Sequence, residues 1–103
     1  MFKVVILYPM PKDPAEFDRR YDGEHLEIAA QIPNLRKLVA GRVKRVATGS
    51  ADYYRYAELH FDDEATMAAA LASEAGQRSR NHANELSTGG MPVRLIVEIA
   101  ESA

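Results

Sequence analysis

An α+β fold, a four-stranded antiparallel sheet with two helical layers crossing one of its faces, is predicted from three observations. The chain of 103 residues opens and nearly closes on apolar, β-rich runs, Phe2 to Tyr8 and Val93 to Ile99. Between them, two stretches with helix-start chemistry flank a pair of alternating segments joined by turn residues. The order is therefore strand, helix, strand, strand, helix, strand, the split βαβ arrangement of ferredoxin-like folds. At this length the chain is expected to be one domain, residues 1–103, large enough to bury a core and too small for two.

Each element follows from local chemistry. Phe2 to Tyr8 is apolar on both sides and stops at Pro9-Met10-Pro11, as a strand buried on both faces would. Asp13, Pro14 and Glu16 supply an N-cap, a first-turn proline and an acidic third residue, so a helix starts there and runs to about Gln31, before Pro33. Gly23 interrupts it at a cost of roughly 1 kcal/mol, which predicts a local bend or a close approach by another segment. On ideal geometry Leu26 points away from the apolar stripe, so either the register shifts at Gly23 or Leu26 meets a neighbour. A loosely alternating strand is expected from Leu35 to Thr48, then a turn at Gly49-Ser50-Ala51-Asp52 and a second strand from Tyr53 to Phe61. In that strand Ala57, Leu59 and Phe61 share one face, and Tyr54, Tyr56, Glu58 and His60 the other. Asp62 or Asp63 caps an alanine-rich helix with Met67, Ala68, Leu71 and Ala75 as its stripe. Ser73 to Leu86 reads as a shorter, less amphipathic helical stretch whose register Gly76 breaks, and Gly89-Gly90 turns the chain into the last strand.

With both helices on one sheet face, the other face needs a cover. It cannot be fully polar, because the first strand is apolar on both sides and the last places Ile96 beside Arg94 and Glu98. A two-fold homodimer packed sheet to sheet is the simplest cover by symmetry. Arg42, Arg45, Arg55, Glu58 and Glu98 are expected to supply cross-strand or cross-dimer charge pairs.

Composition narrows the function. Hydrophobic residues make up 47%, which argues against disorder, and 13 basic against 15 acidic residues leave a charge of −2, so no electrostatic footprint for nucleic acid is present. Without cysteine there are no disulfides, thiolate nucleophiles or Cys-type metal sites. His25, His60 and His82 share no metal-ligand spacing, and no metal site is predicted. Nothing approaches a membrane span and no cleavable leader is evident, so a cytoplasmic protein is the expectation. No Gly-x-Gly-x-x-Gly fingerprint exists, and a dinucleotide would need another motif or a partner protein.

The strongest chemical clue is His25. At roughly 100° per residue, Phe17, Tyr21, His25, Ile28 and Ile32 fall within an arc of about 80°. An imidazole thus occupies a position where packing is expected. It is either a hydrogen-bonded core residue or a group that exchanges protons with a bound molecule, since its ordinary pKa lies near neutrality.

The chain also resembles the EthD-like family of the dimeric α/β-barrel superfamily. The resemblance is carried by Phe17, Tyr21, His25, Leu26 and Ile28 followed by Pro33-Asn34-Leu35-Arg36, by Val5-Ile6-Leu7-Tyr8-Pro9, and by Ala57-Glu58-Leu59-His60-Phe61-Asp62-Asp63. Ala70 to Gln77 and Thr88-Gly89-Gly90 extend it over nearly the whole chain. The family commonly has proline where this chain has Glu27, glycine where it has Asn34, and an aromatic residue near Leu86. The resemblance implies a ferredoxin-like βαββαβ subunit forming a dimeric α/β barrel, with a cavity between the first helix and the helix-covered sheet face, lined by His25. It implies an oxidoreductase-associated enzyme of catabolism that acts on a small apolar or aromatic molecule with no tightly bound cofactor. His25 would be the general acid/base and Tyr21 a hydrogen-bond donor, with Tyr8, Phe17, Ile28, Met67 and Leu71 as walls. Asp22 could fix the His25 tautomer or be an exposed helix carboxylate. His60 faces either the cavity or the dimer interface, and His82 is expected to be solvated. The competing reading is a metabolite-binding or accessory protein of a partner oxidoreductase, and some relatives in the superfamily suggest heme held by a histidine.

Overall fold

The computed structural model describes residues 1–100. Strand β1 (Phe2–Pro9) leads into helix α1 (Pro14–Arg20), whose N-cap is Asp13: its carboxylate accepts the Glu16 N–H at 3.2 Å, and Pro14 takes a first-turn position where no donor is needed. A wide turn, Tyr21–His25, continues the helix into α2 (Leu26–Ala29). Next come β2 (Lys37–Arg42), β3 (Tyr53–Phe61), α3 (Glu64–Ala72), α4 (Glu74–Leu86) and β4 (Val93–Glu98). The strands form one antiparallel sheet in the order β2-β3-β1-β4, the ferredoxin-like α+β topology.

The pairing Val4↔Leu59 and Ile6↔Ala57 turns one set of sheet side chains toward the helices. Val4, Ile6, Tyr8, Ala57, Leu59 and Phe61 are buried there against Phe17, Tyr21, Ile32, Met67, Ala70, Ala83 and Leu86. At Asn34 the backbone adopts φ 60°, a left-handed conformation that favours glycine and that asparagine tolerates better than most residues. Asn34 therefore holds the loop in this conformation without glycine.

The first helix resolves the question raised by Gly23 and Leu26. The Leu26 N–H donates to the Tyr21 carbonyl five residues back, so Tyr21–His25 is a π turn carrying one extra residue. Nothing approaches Gly23, so it marks this irregularity and not a close contact. Downstream the register is rotated: Phe17, Tyr21, His25 and Ala29 are buried at a spacing of four, Leu26 packs against the core, and Ile28 is displaced to a half-buried flank.

Several other expectations are corrected. β2 ends at Arg42, and 43–52 is a loop held to β3 by the Val43 N–H on the Tyr54 carbonyl. The basic and polar residues in that loop offer no continuous apolar face to pack. Ser73 caps α4, which at 13 residues is longer than α3 and clearly two-sided, with Gly76, Ser79, Ala83 and Leu86 buried. In α3 the buried pair is Met67 and Ala70, while Ala68 faces solvent. Gly76 does not break α4; it lets α4 fold back tightly against the end of α3.

β4 also lies in the opposite parity from that expected. Arg94 pairs with Ile6 and Ile96 with Val4, so Arg94, Ile96 and Glu98 point to the helix side. Val93, Leu95 and Val97 instead join Val5, Leu7, Val39 and Tyr56 on the bare face, making it more apolar than predicted; Leu95 is 47% exposed. Lys3, Glu58 and His60 form one polar cluster on that face, with Glu58 3.3 Å from Lys3 and 2.6 Å from His60. Arg55, by contrast, is turned inward and only 5% exposed, so it is not a cross-dimer charge.

The packing at Gly76 makes a testable prediction. A β-carbon there would collide with the backbone carbonyl oxygens of Ala70 and Leu71. Alanine normally gains about 1 kcal/mol over glycine inside a helix, but overpacking against an immovable backbone costs roughly 1–3 kcal/mol. Gly76→Ala should therefore destabilise the protein by up to about 2 kcal/mol in urea denaturation. A stabilised variant would contradict this packing.

Candidate active site

The wide turn of the first helix, the middle of β1 and one face of α4 meet around His25, which is 4% exposed. The imidazole Nδ1 lies 2.9 Å from Nδ1 of His82, and the two ring planes differ by only 5°. That approach is shorter than stacked rings allow, so the rings meet edge to edge in one plane, as a hydrogen bond requires. Nε2 of His82 lies 3.5 Å from the Glu24 carboxylate, and the Tyr8 hydroxyl lies 3.5 Å from Nε2 of His25. The result is a chain from a half-exposed carboxylate through two imidazoles to a buried phenol.

If both rings are neutral, the Glu24 carboxylate, in contact with His82 Nε2 though not hydrogen-bonded to it, favours one arrangement of the two ring protons. Glu24 can only accept, so His82 carries its proton on Nε2 and presents a bare Nδ1. His25 must then donate from Nδ1, which leaves its Nε2 as an acceptor. The 3.5 Å separation from Tyr8 is long for a hydroxyl hydrogen bond, so this lone pair is loosely engaged. Burial pushes His25 down from 6.5 to about 4, and the neighbouring His82 and the Arg94 guanidinium act in the same direction. The imidazole is thus neutral at pH 7. Burial likewise raises the Tyr8 phenol, with Tyr21 adding to the effect, so Tyr8 remains a hydroxyl donor.

A cavity of about 170 Å³ opens beside this imidazole. Val4, Ile6 and Leu59 of the sheet, Ile32, and Leu71, Gly76 and Ala83 of the α3–α4 layer make it mostly apolar. His25, Ser79, Arg80 and Arg94 are its polar members. It lies chiefly between the sheet and α4, whereas the first helix was expected to be its roof. An outer groove lined by Glu24, Ile28 and His82 lies on the other side of the histidine pair.

These positions sort the candidate residues. His25 and Leu71 line the cavity. Tyr8 reaches His25 from the core but is not part of the wall, while Phe17, Tyr21 and Met67 are core residues and Ile28 borders the outer groove. Tyr8 sits edge-on to Phe17 and Tyr21 at 5.3 and 5.6 Å between ring centres. Tyr21 packs 5.4 Å from His25 and beneath the Arg55 guanidinium at 4.3 Å; burial, then Asp22, pushes its phenol up to about 12 despite Arg55. The hydroxyl that reaches the imidazole is that of Tyr8, not Tyr21. Asp22 does not fix the tautomer: it pairs with Arg55 at 3.0 Å, and His82 takes that place. His60 lies on the bare sheet face, away from the cavity.

His82, Arg80 and Arg94 were missed by sequence reasoning. The buried spacing Ser79, Ala83, Leu86 marks an α4 face visible in the sequence, and His82 adjoins it. Arg94 depended on the β4 parity, which no local pattern specifies.

The depressed His25 pKa predicts acid sensitivity. Between pH 6.5 and about 4 the unfolded chain binds a proton at this residue that the folded chain does not. The stabilisation is complete above pH 6.5 and is lost as pH falls through that window. It is on the order of 3 kcal/mol at most, from the free energy of one pKa unit. In denaturation measured across this range, wild type should lose more stability than His25→Gln. Parallel profiles would contradict a neutral buried imidazole.

Comparison with known proteins agrees with this architecture. Residues 10–87 match the EthD domain. An uncharacterized 11.0 kDa protein from the thcB-thcC intergenic region of Rhodococcus erythropolis is 32% identical over 91 residues, 88% of each chain. The crystal structure of an ethyl tert-butyl ether d (EthD) family protein from Bacillus halodurans superposes with a TM-score of 0.87 at 27% identity, covering 96% of this chain and 98% of that one. At 18% identity, a dimeric ferredoxin-like protein of unknown function from Jannaschia superposes with a TM-score of 0.72, covering 96% and 100%. A cofactor-independent oxygenase from Streptomyces nogalater shares the fold at 17% identity and a TM-score of 0.69, covering 98% and 94%. The match over most of its length shows that the chain belongs to the EthD family.

Proposed function

We propose that this protein is a small-molecule enzyme of the EthD family in which His25 acts as general base on a compact apolar or aromatic substrate. The observation that carries the proposal is the buried, neutral imidazole of His25, which lines the cavity and has its Nδ1 engaged by His82. A cavity of about 170 Å³ is close to the roughly 150 Å³ that holds benzene in an engineered core. It lies below the roughly 300–1,000 Å³ of drug-sized sites, so a single ring or a branched aliphatic group fits and a polycycle does not.

In the proposed reaction Nε2 takes a proton from an acidic C–H or O–H of the substrate, and the electron pair stays on the substrate as an anion. The Arg94 guanidinium, which lines the same cavity, stabilises the developing charge. The Nδ1–H of His25 can pass to His82 while the Nε2–H of His82 passes to Glu24, which neutralises the imidazolium and leaves the substrate proton on Nε2. Return of that proton to the substrate anion, with the relay run backward, restores the base, and Glu24 and His82 are positioning residues that stabilise its protonated form. This acid/base step needs no cofactor of its own; a partner oxidoreductase would act before or after it. The oxygenase that shares the fold supports an enzymatic reading.

The proposed assembly is a homodimer of two copies packed through the bare sheet faces. Its support is the apolar set Val5, Leu7, Val93, Leu95 and Val97, together with the dimeric description of a similar structure. In such a pair His60 and Glu58 fall at the interface and the His25 cavity remains on the helix side.

Two predictions test these proposals. His25→Ala should leave a folded protein and reduce turnover of its substrate by about 10²–10⁴-fold, the usual contribution of a general base. A large fall in melting temperature with unchanged ligand affinity would instead assign His25 to packing, and binding without turnover in wild type would favour the accessory role. Sedimentation should give a dimer with more than about 1,200 Å² buried, and Leu95→Glu should dissociate it. A folded wild-type monomer at micromolar concentration would refute the assembly.

A further inference from the structure

The basic end of the cavity is not explained by an apolar substrate. Arg94 projects from β4 into a space otherwise walled by aliphatic side chains, and one of its Nη2 donors is held by the Asn84 side-chain oxygen at 2.8 Å. Arg80, on the adjoining face of α4, lines the same cavity. Among the described residues neither guanidinium has a carboxylate within 4.0 Å, and no Asp or Glu lines the cavity. Arg55 has Asp18 and Asp22, Arg36 has Asp62, and Arg19 has Glu16, whereas Arg45 and Arg78 are also unpaired among the described residues; what sets Arg80 and Arg94 apart is that they share one cavity.

Placing two cations together beside apolar walls is costly. Burial lowers the Arg94 pKa, with Tyr8 opposing and Arg80 adding to the effect, yet a guanidinium does not release its proton near neutrality. The unfavourable field is relieved by an anion rather than by ionisation. A guanidinium fork matches the two oxygens of a carboxylate, and its strength rises in a site partly shielded from water.

We infer that the ligand of this cavity is a small monocarboxylate with an apolar body of about one ring, its carboxylate held by Arg94 and Arg80 and its body among Val4, Ile6, Leu59 and Leu71. This rests on the reading of the His25 cavity as the substrate site and specifies the substrate class. Arg94 also acts on His25, so the carboxylate it holds lies on the imidazole side of the cavity and the apolar body extends among the aliphatic walls. A neutral hydrocarbon of the same shape would leave the arginine pair uncompensated, which gives the site a basis for discrimination.

Benzoate and benzyl alcohol, nearly equal in shape and different in charge, separate the alternatives. Calorimetric titration of the full chain at pH 7 should show benzoate binding about tenfold or more tighter than benzyl alcohol. Arg94→Met should abolish the difference, and Arg80→Gln, at an exposed position where folding is not in question, should weaken benzoate severalfold. In ring-proton NMR, benzoate but not benzyl alcohol should raise the His25 pKa, because a nearby anion favours the protonated imidazole. Equal or tighter binding of the alcohol would overturn the inference. So would absence of binding by both probes, or benzoate affinity unchanged in Arg80→Gln with no movement of His25, which would indicate adventitious surface binding. If Arg94→Met fails to fold, the Arg80 variant and the His25 shift decide. The titration reads no turnover, so a failed anion site shows as loss of the benzoate preference, whereas a failed base assignment leaves that preference intact and shows only in the separate His25→Ala turnover assay.

Discussion

The extra residue in the turn Tyr21–His25 sets the geometry on which the candidate site depends. In a regular α-helix a spacing of four drifts steadily around the axis, and a row built on it leaves the core within a few turns. One i→i+5 hydrogen bond, Leu26 N–H to Tyr21 carbonyl, widens the helix locally and keeps Phe17, Tyr21, His25 and Ala29 facing the sheet. Gly23 occupies the widened turn with no neighbour against it, so its role is conformational ease and not contact. The π turn thus leaves the imidazole beside Tyr8 and α4, while Ile28 moves outward.

A second constraint holds that helix on the sheet. Arg55, buried on β3, donates to Asp18 at 3.2 Å and to Asp22 at 3.0 Å, and its guanidinium covers the face of Tyr21. The Tyr54 hydroxyl adds a 2.7 Å bond to Asp18. Burial alone would raise the Asp18 carboxyl, but these partners and Arg42 outweigh it and hold it below its ordinary value. Because Asp18 and Asp22 remain partly hydrated, the arrangement avoids the full desolvation cost of a buried ion pair. The network also has a chemical effect. By drawing Asp22 to Arg55 it keeps a carboxylate away from His25, whose pKa would otherwise rise, and leaves His82 as the partner of the His25 Nδ1.

The two faces of the sheet therefore carry different physics. The helix side holds an aromatic core around Tyr8, the histidine pair, and a small apolar cavity with a basic end. The opposite side is a nearly continuous apolar surface with one polar cluster, Lys3, Glu58 and His60. Edge strand β4 contributes to both: Arg94 reaches the cavity, while Val93, Leu95 and Val97 extend the bare face. Site and proposed interface are thus linked through β1, β3 and β4 without sharing side chains.

Local chemistry in the sequence determined the order of the strands and helical layers, the caps at Asp13 and Asp63, the turn before β4 and the apolar face of β3, because capping and alternation act within a few residues. It also singled out His25, since a polar ring on an apolar helical stripe is visible at once. What tertiary structure decided were the choices that depend on distant partners. The parity of β4 is set by pairing with β1, and a shift by one residue would exchange Arg94 for Leu95 in the cavity. The neighbour of His25 is His82, 57 residues away, and nothing local distinguishes it from a solvated histidine. The π turn itself was signalled only as an ambiguity at Gly23 and Leu26, because ideal helical geometry assigns a register, and only packing against the sheet reveals where an added residue rotates it.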